Sequence, residues 1–131
     1  MNFIAAGGTR LGGEGFFFKP TVVTGLSDDA KLMRDEPFGP VAPIVAFKTL
    51  DEVIQRANAL PFGLAAYAFT NSTRTAALLS DALEAGMVGI NTFAISTPET
   101  PFGGVKESGY GQEGGIEGLE AYTIKKFVAA M

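Results

Sequence analysis

Apolar and polar positions along this chain alternate between two spacings. Val41 to Phe47 is apolar nearly throughout, the pattern of a strand covered on both faces. Thr49-Leu50-Asp51-Glu52 then forms a capping box. It opens a helix whose apolar residues Leu50, Val53, Ile54, Ala57 and Leu60 fall on one face, and Pro61-Phe62-Gly63 stops it. Ala65 to Thr70 predicts the next strand. Asn71 or Ser72 caps a helix that turns Ala76, Leu79 and Leu83 inward, Gly86 ends that helix, and Val88-Gly89-Ile90-Asn91 predicts a further strand. Nearer the start, Thr21-Val22-Val23 reads as a short strand after Pro20. Ser27 is placed to cap a helix over residues 28–34, with acids in its first turn. Pro37 and Pro40 force the chain out of helix, because a residue before proline avoids the α region. Strands and helices alternating at these lengths predict an α/β fold, with right-handed crossovers and a mostly parallel sheet.

The regular pattern stops at Thr92. From there to Gly115 the chain holds Pro98, Pro101 and a dense set of glycines, and a loop of that length in a compact domain is usually functional or poorly ordered. Ile116 to Ala121 predicts a short helix, and Tyr122 to Ala129 a final β-prone segment. Glycine occupies 17 of 131 positions, about twice the usual ~7%, and its clusters mark bends.

Composition excludes more than it selects. The 47% hydrophobic content and eleven Phe can fill a core. A formal net charge of −4 with scattered Lys and Arg argues against a nucleic-acid partner. No apolar run approaches the ~20 residues that span a bilayer, and Met1 to Ala6 makes a poor signal peptide, so a cytoplasmic location is expected. The chain contains no His and no Cys. A Ser-His-Asp triad, a thiol nucleophile and an ordinary zinc site are therefore excluded within it.

Three motifs remain to be weighed. Gly109-Tyr110-Gly111-Gln112-Glu113-Gly114 fits G-x-G-x-x-G. A dinucleotide fingerprint needs a strand before it and an acid ~20 residues after it; a Gly/Pro loop precedes this one and the sequence stops at Met131, so a tight turn accounts for it better. Glu36 sits in Asp35-Glu36-Pro37-Phe38-Gly39-Pro40, where a carboxylate is a solvated loop residue or an acceptor for paired hydroxyls. Lys106 lies inside Pro101-Phe102-Gly103-Gly104-Val105-Lys106-Glu107-Ser108-Gly109-Tyr110-Gly111 and reads as a solvated or structural lysine.

That last segment resembles the P-F-G-G-x-K-x-S-G-x-G motif of aldehyde dehydrogenases, and Glu36-Pro37-Phe38-Gly39-Pro40 resembles a second motif of the family. Gly7-Gly8 through Gly15-Phe16-Phe17-Phe18-Lys19-Pro20-Thr21-Val22-Val23, Phe62-Gly63-Leu64-Ala65-Ala66 and Gly86-Met87-Val88-Gly89-Ile90-Asn91 resemble other stretches of it. The resemblance implies the C-terminal part of the catalytic domain over residues 1–121 and an oligomerisation strand over residues 122–131. It implies that Glu36 accepts hydrogen bonds from the nicotinamide ribose of NAD or NADP, with Phe38 packing beside it. It also implies that Phe93, Ser96 and Phe102 line the aldehyde tunnel. The family's nucleophilic Cys, general-base Glu, oxyanion Asn and cofactor domain have no counterpart in this sequence, so the chain alone is expected to be catalytically silent.

Ile95-Ser96-Thr97-Pro98-Glu99-Thr100-Pro101-Phe102-Gly103-Gly104 resembles the succinate-semialdehyde dehydrogenase branch, in which a serine at the position of Ser96 hydrogen-bonds the substrate carboxylate. A solvent-facing loop serine is the other reading of Ser96. The resemblance further implies a small-molecule aldehyde as substrate and a homo-oligomer. The contrasting reading is a free-standing, non-catalytic assembly module.

Overall fold

The computed structural model describes residues 3–131; Met1 and Asn2, the start of the stretch read as a poor leader, lie outside the described residues. The chain forms two compact units, residues 1–48 and 49–131.

In the first unit, β1 (Phe3–Ala6), β2 (Thr21–Thr24) and β3 (Val41–Ile44) form one sheet in that order. β1 runs antiparallel to β2 with a register break between Ile4 and Ala6, and β2 runs parallel to β3. Pro43 is tolerated because β3 is an edge strand, where a missing N–H costs little. Thr21 is the polar pivot. Its buried hydroxyl accepts from the Gly8 N–H at 2.8 Å and donates to the Lys19 carbonyl at 2.7 Å, so burial leaves it hydrogen-bonded in both roles. A short helix, α1 (Lys31–Arg34), precedes β3.

In the second unit, Thr49 caps α2 (Leu50–Ala57) by accepting from the Glu52 N–H at 3.2 Å. β4 (Phe62–Gly63) pairs antiparallel with β7 (Val105–Lys106). β5 (Ala65–Ala68), α3 (Thr73–Ala82) and β6 (Met87–Ile90) make one parallel crossover, with Ala65 opposite Met87 and Ala68 opposite Ile90. Ser72, rather than Asn71, caps α3 through the Thr75 N–H at 3.2 Å. A 3-10 turn spans Glu117–Tyr122.

The α/β class with parallel pairs is as expected; several boundaries are not. Residues 27–30 form a turn, with the Ala30 N–H on the Ser27 carbonyl at 3.0 Å. Helix α1 therefore starts at Lys31 without a side-chain cap or acids in its first turn, because Asp28-Asp29 favour turns as readily as helix starts. β3 ends at Ile44 and alternates half-buried with exposed residues, so it is covered on one face, not both. Helix α2 stops at Ala57, short of Leu60, because the Asn58 side chain is taken up by distant backbone, as described below. Gly86 does not cap α3, which ends at an extended Leu83. Residues 123–131 form no strand within this chain.

The largest departure concerns the core. Leu79 and Met87, each 8% exposed, are the buried hydrophobics among the described residues. Phe62 and Phe102 are half-buried, and no described Phe side chain is buried. The physical reason is geometric. Three thin sheets and two short amphipathic helices, α2 and α3, present apolar faces that nothing in either unit covers. Leu119, Tyr122, Ile124, Phe127 and Val128 stand exposed towards the chain's end, and patches of that kind drive association. The isolated chain is therefore expected to self-associate. Light scattering across a concentration series checks this: a mass fixed at 13.7 kDa from micromolar to near-millimolar protein would contradict it.

Candidate functional site

The bend carrying Glu36 and Phe38 is built by the prolines around it. Helix α1 closes at an extended Asp35, and Pro37 and Pro40 hold the next residues out of helix. Two tight contacts then fold the backbone, from the Gly39 N–H to the Pro37 carbonyl at 3.0 Å and from the Val41 N–H to the Gly39 carbonyl at 2.8 Å. Glu36 is exposed and, among the described residues, has no hydrogen bond or ion pair. Phe38 is 95% exposed. A rigid bend thus presents an unsatisfied carboxylate beside an open aromatic face. Two hydroxyls of a diol and the ring of a cofactor match that pair, so the residues present fit a nicotinamide riboside end.

In the second unit, the structure brings Ser96 and Phe102 together. They line a hollow of about 440 Å³ with Thr97, Pro98, Glu113 and Gly114. Its frame is backbone. Phe102 and Glu113 exchange N–H···O bonds of 2.6 and 2.7 Å, and the Gly115 N–H reaches the Pro98 carbonyl at 2.9 Å. The Ser96 hydroxyl is exposed and unpartnered among the described residues, so it is free to donate. No cation lines this hollow. Phe102 also lines a neighbouring hollow of about 690 Å³ walled largely by residues 108–115. There Gly109, Gly111, Gly114 and Gly115 all have positive φ, which is turn geometry and bears out the reading of G-x-G-x-x-G as a turn.

Phe93 lines neither hollow. Its ring, 73% exposed, packs tilted against Tyr67 at 5.2 Å and Phe69 at 5.1 Å. Asn91 sets it there. With φ at 57°, Asn91 turns the chain out of β6, and its side chain accepts from the Thr70 N–H at 2.8 Å and donates to the Thr70 carbonyl at 2.9 Å. Asn is among the few residues that enter this region cheaply. Sequence reasoning missed Tyr67, Phe69 and the turn at Asn91; an Asn closing a strand before an irregular loop was the available signal.

The glycine motif itself is held by close backbone approach. A Cβ on Gly86 would overlap the Gly103 carbonyl, and one on Gly63 would overlap the Glu84 carbonyl. The Gly86 N–H bonds the Gly63 carbonyl at 2.9 Å, and the Ser108 hydroxyl accepts from the Gly63 N–H at 2.8 Å. Lys106 donates to the Asn58 and Leu60 carbonyls and pairs with Glu84, which bears out a structural lysine. No group of three metal-ligating side chains occurs among the described residues, and no helix there is long and apolar enough to cross a membrane.

The aldehyde dehydrogenase family model matches residues 2–128. The chain belongs to the aldehyde dehydrogenase family. It is 48% identical over 87% of its length to 4-(hydroxymethyl)benzenesulfonate dehydrogenase TsaD1 of Comamonas testosteroni, covering 24% of that protein. It is 46% identical over 95% of its length to a probable succinate-semialdehyde dehydrogenase (NADP+) of Sinorhizobium fredii, covering 26% of it. The solved NAD+ complex of an aldehyde dehydrogenase from Bacillus cereus superposes with a TM-score of 0.88 at 42% identity, over 94% of this chain and 25% of that one. The chain thus spans about a quarter of the length of the relatives it matches.

The seam of close approach around Gly86 has a direct consequence. Gly86→Ala, with no strained φ to blame, is expected to destabilise this segment by about 2 kcal/mol or more, because the added methyl meets backbone that cannot rotate away. Gly118→Ala in the same unit meets only ordinary contacts from 3.4 Å outward and is expected to be neutral. Urea-unfolding midpoints of the two variants check the contrast.

Proposed function

We propose that this chain supplies the recognition elements of an NAD(P)-dependent aldehyde dehydrogenase. Glu36 and Phe38 anchor the cofactor's ribose, and Phe93, Ser96 and Phe102 face the aldehyde. The observation that carries the reading is the exposed, unpartnered Glu36 carboxylate on a proline-fixed bend next to an open Phe38 face, within a chain whose family binds such cofactors. When bound, the cofactor supplies the hydride acceptor. What these residues do is positional: two carboxylate oxygens accept from neighbouring ribose hydroxyls and fix the reactive ring's orientation. The nucleophile and general base of the reaction come from outside this chain, which has no Cys. Residues 122–131, with Tyr122, Ile124, Phe127 and Val128 exposed, are proposed to pair with a second copy in a homo-oligomer; an unpaired apolar edge favours such pairing.

Succinic semialdehyde is the proposed substrate, resting on Ser96 as carboxylate donor in the loop that resembles that branch. Identity to relatives does not choose it, since the aromatic sulfonate dehydrogenase is as similar. The hollow around Ser96 contains Glu113 and no cation. A serine hydroxyl alone selects an anion weakly, so the charge of the carboxylate must be met by a cation from outside the hollow's own lining.

Two measurements test this reading in a full-length enzyme carrying the segment. Glu36→Gln is expected to slow hydride transfer in single turnovers, or to change the rate-limiting step, more than it weakens cofactor binding; unchanged single-turnover kinetics would remove Glu36 from the site. Ser96→Ala is expected to raise KM for succinic semialdehyde about tenfold to hundredfold, the value of one hydrogen bond to a charged group at roughly 1.5–3 kcal/mol. A neutral aldehyde of similar length should be nearly unaffected, and equal changes for both would show that the hydroxyl does not read the carboxylate.

A further inference from the structure

Lys106 has a φ of 57°, a left-handed conformation that lysine adopts only when its surroundings impose it. Its Nζ donates to the Asn58 carbonyl at 3.1 Å and the Leu60 carbonyl at 3.2 Å, just past the end of α2, and pairs with Glu84. Asn58 extends the network. Its side-chain amide donates to the Ala82 carbonyl at the end of α3 (2.7 Å), and its side-chain oxygen accepts from the Glu84 N–H (3.0 Å). One ammonium group and one amide therefore tie the C-terminal ends of both helices to the strand that carries the glycine motif. Carbonyls beyond a helix end are partly negative, so a cation is favoured there.

The motif leads directly from this clamp to the hollow. Lys106 lies opposite Phe62 in the β4–β7 pair. Gly104 is pressed against Ser108 and Gly103 against Gln112 and Gly111, each closer than a Cβ allows. Phe102, next in line, is bridged to Glu113 and stands in the hollow with Ser96. The tight packing at Gly103 and Gly104 couples Lys106, through Val105, to the position of Phe102.

We propose that Lys106 is a positioning residue for substrate recognition: by holding the ends of α2 and α3 against β7, it fixes the Phe102 wall of the Ser96 hollow. The role rests on the proposed function for its kinetic consequence. Its mechanical part, the hold on residues 101–115, stands apart from that reading.

The test uses a full-length enzyme carrying this segment, with Lys106→Met, Lys106→Arg and Glu84→Gln. For Lys106→Met, KM for the aldehyde should rise about tenfold, while KM for the cofactor and kcat per active site stay within about twofold, since a displaced wall loosens substrate alone. Backbone amides of residues 101–115 should exchange faster with deuterium, and Lys106→Arg should restore both properties in part by returning a cation to the carbonyls. A loss confined to the fraction of active enzyme, with unchanged aldehyde KM, would overturn the proposal, as would unchanged exchange. If Lys106→Met does not fold, Glu84→Gln, which removes only the ion pair, should still speed exchange over residues 101–115; exchange at the wild-type rate would overturn the proposal. A wild-type enzyme that oxidises no aldehyde would refute the proposed function, and the exchange comparison would then decide the lysine's hold by itself.

Discussion

Backbone packed directly on backbone, at Gly63 against Glu84 and at Gly86 against Gly103, is the constraint on which the second unit depends. β4, the exit from α3 and the glycine motif converge there, and none of the three can carry a Cβ at the point of contact. What side chains would do elsewhere is done here by a few polar groups reaching across: Ser108 to the Gly63 N–H, Asn58 to both the Ala82 carbonyl and the Glu84 N–H, and Lys106 to the carbonyls after α2. The segment from Thr92 to Gly115 is consequently ordered with β7 as its one strand among the described residues.

This economy has a counterpart in burial. Where glycines bring backbones together, few apolar side chains are enclosed, and Leu79 and Met87 stand nearly alone as core among the described residues. Large aromatic groups point outward from strands, bends and the C-terminal segment alike. Such low burial leaves apolar surface open on both units. That organisation weighs against a self-sufficient module, because a free-standing domain of this size normally encloses a core.

The motifs were more legible in the sequence than the element boundaries. Thr49 was readable as a cap, and the second cap was narrowed to Asn71 or Ser72, because a cap is a local bond between a side-chain oxygen and an N–H three residues on. The parallel β5–α3–β6 crossover followed from alternation and length. The errors arose where a distant partner decides the outcome. Nothing local to Leu60 reveals that Asn58 will be claimed by residues 82 and 84 and end the helix early. Nothing local to Gly86 distinguishes a helix cap from a glycine required by Gly103. The outward aromatics were misread as core for the same reason, since a Phe-rich composition reports that apolar surface must be covered and is silent about what covers it. Ser96 and Phe102 were named from a motif, and the fold places them in one hollow; Phe93, named with them, packs against Tyr67 and Phe69 with most of its ring exposed.

The division of labour within the proposed enzyme follows from residue chemistry. A chain with no thiol and no imidazole lacks the cysteine nucleophile and the side chain that most often relays protons near neutral pH. The groups proposed for recognition are a carboxylate on a proline-fixed bend, a free hydroxyl and aromatic faces, and each is suited to holding a partner in one orientation. Orientation is worth most when the holding groups do not move, and here they are mounted on proline bends and on a glycine seam in which backbone has no slack. The close backbone packing that leaves few apolar side chains enclosed thus suits the chain to the positioning role proposed for it.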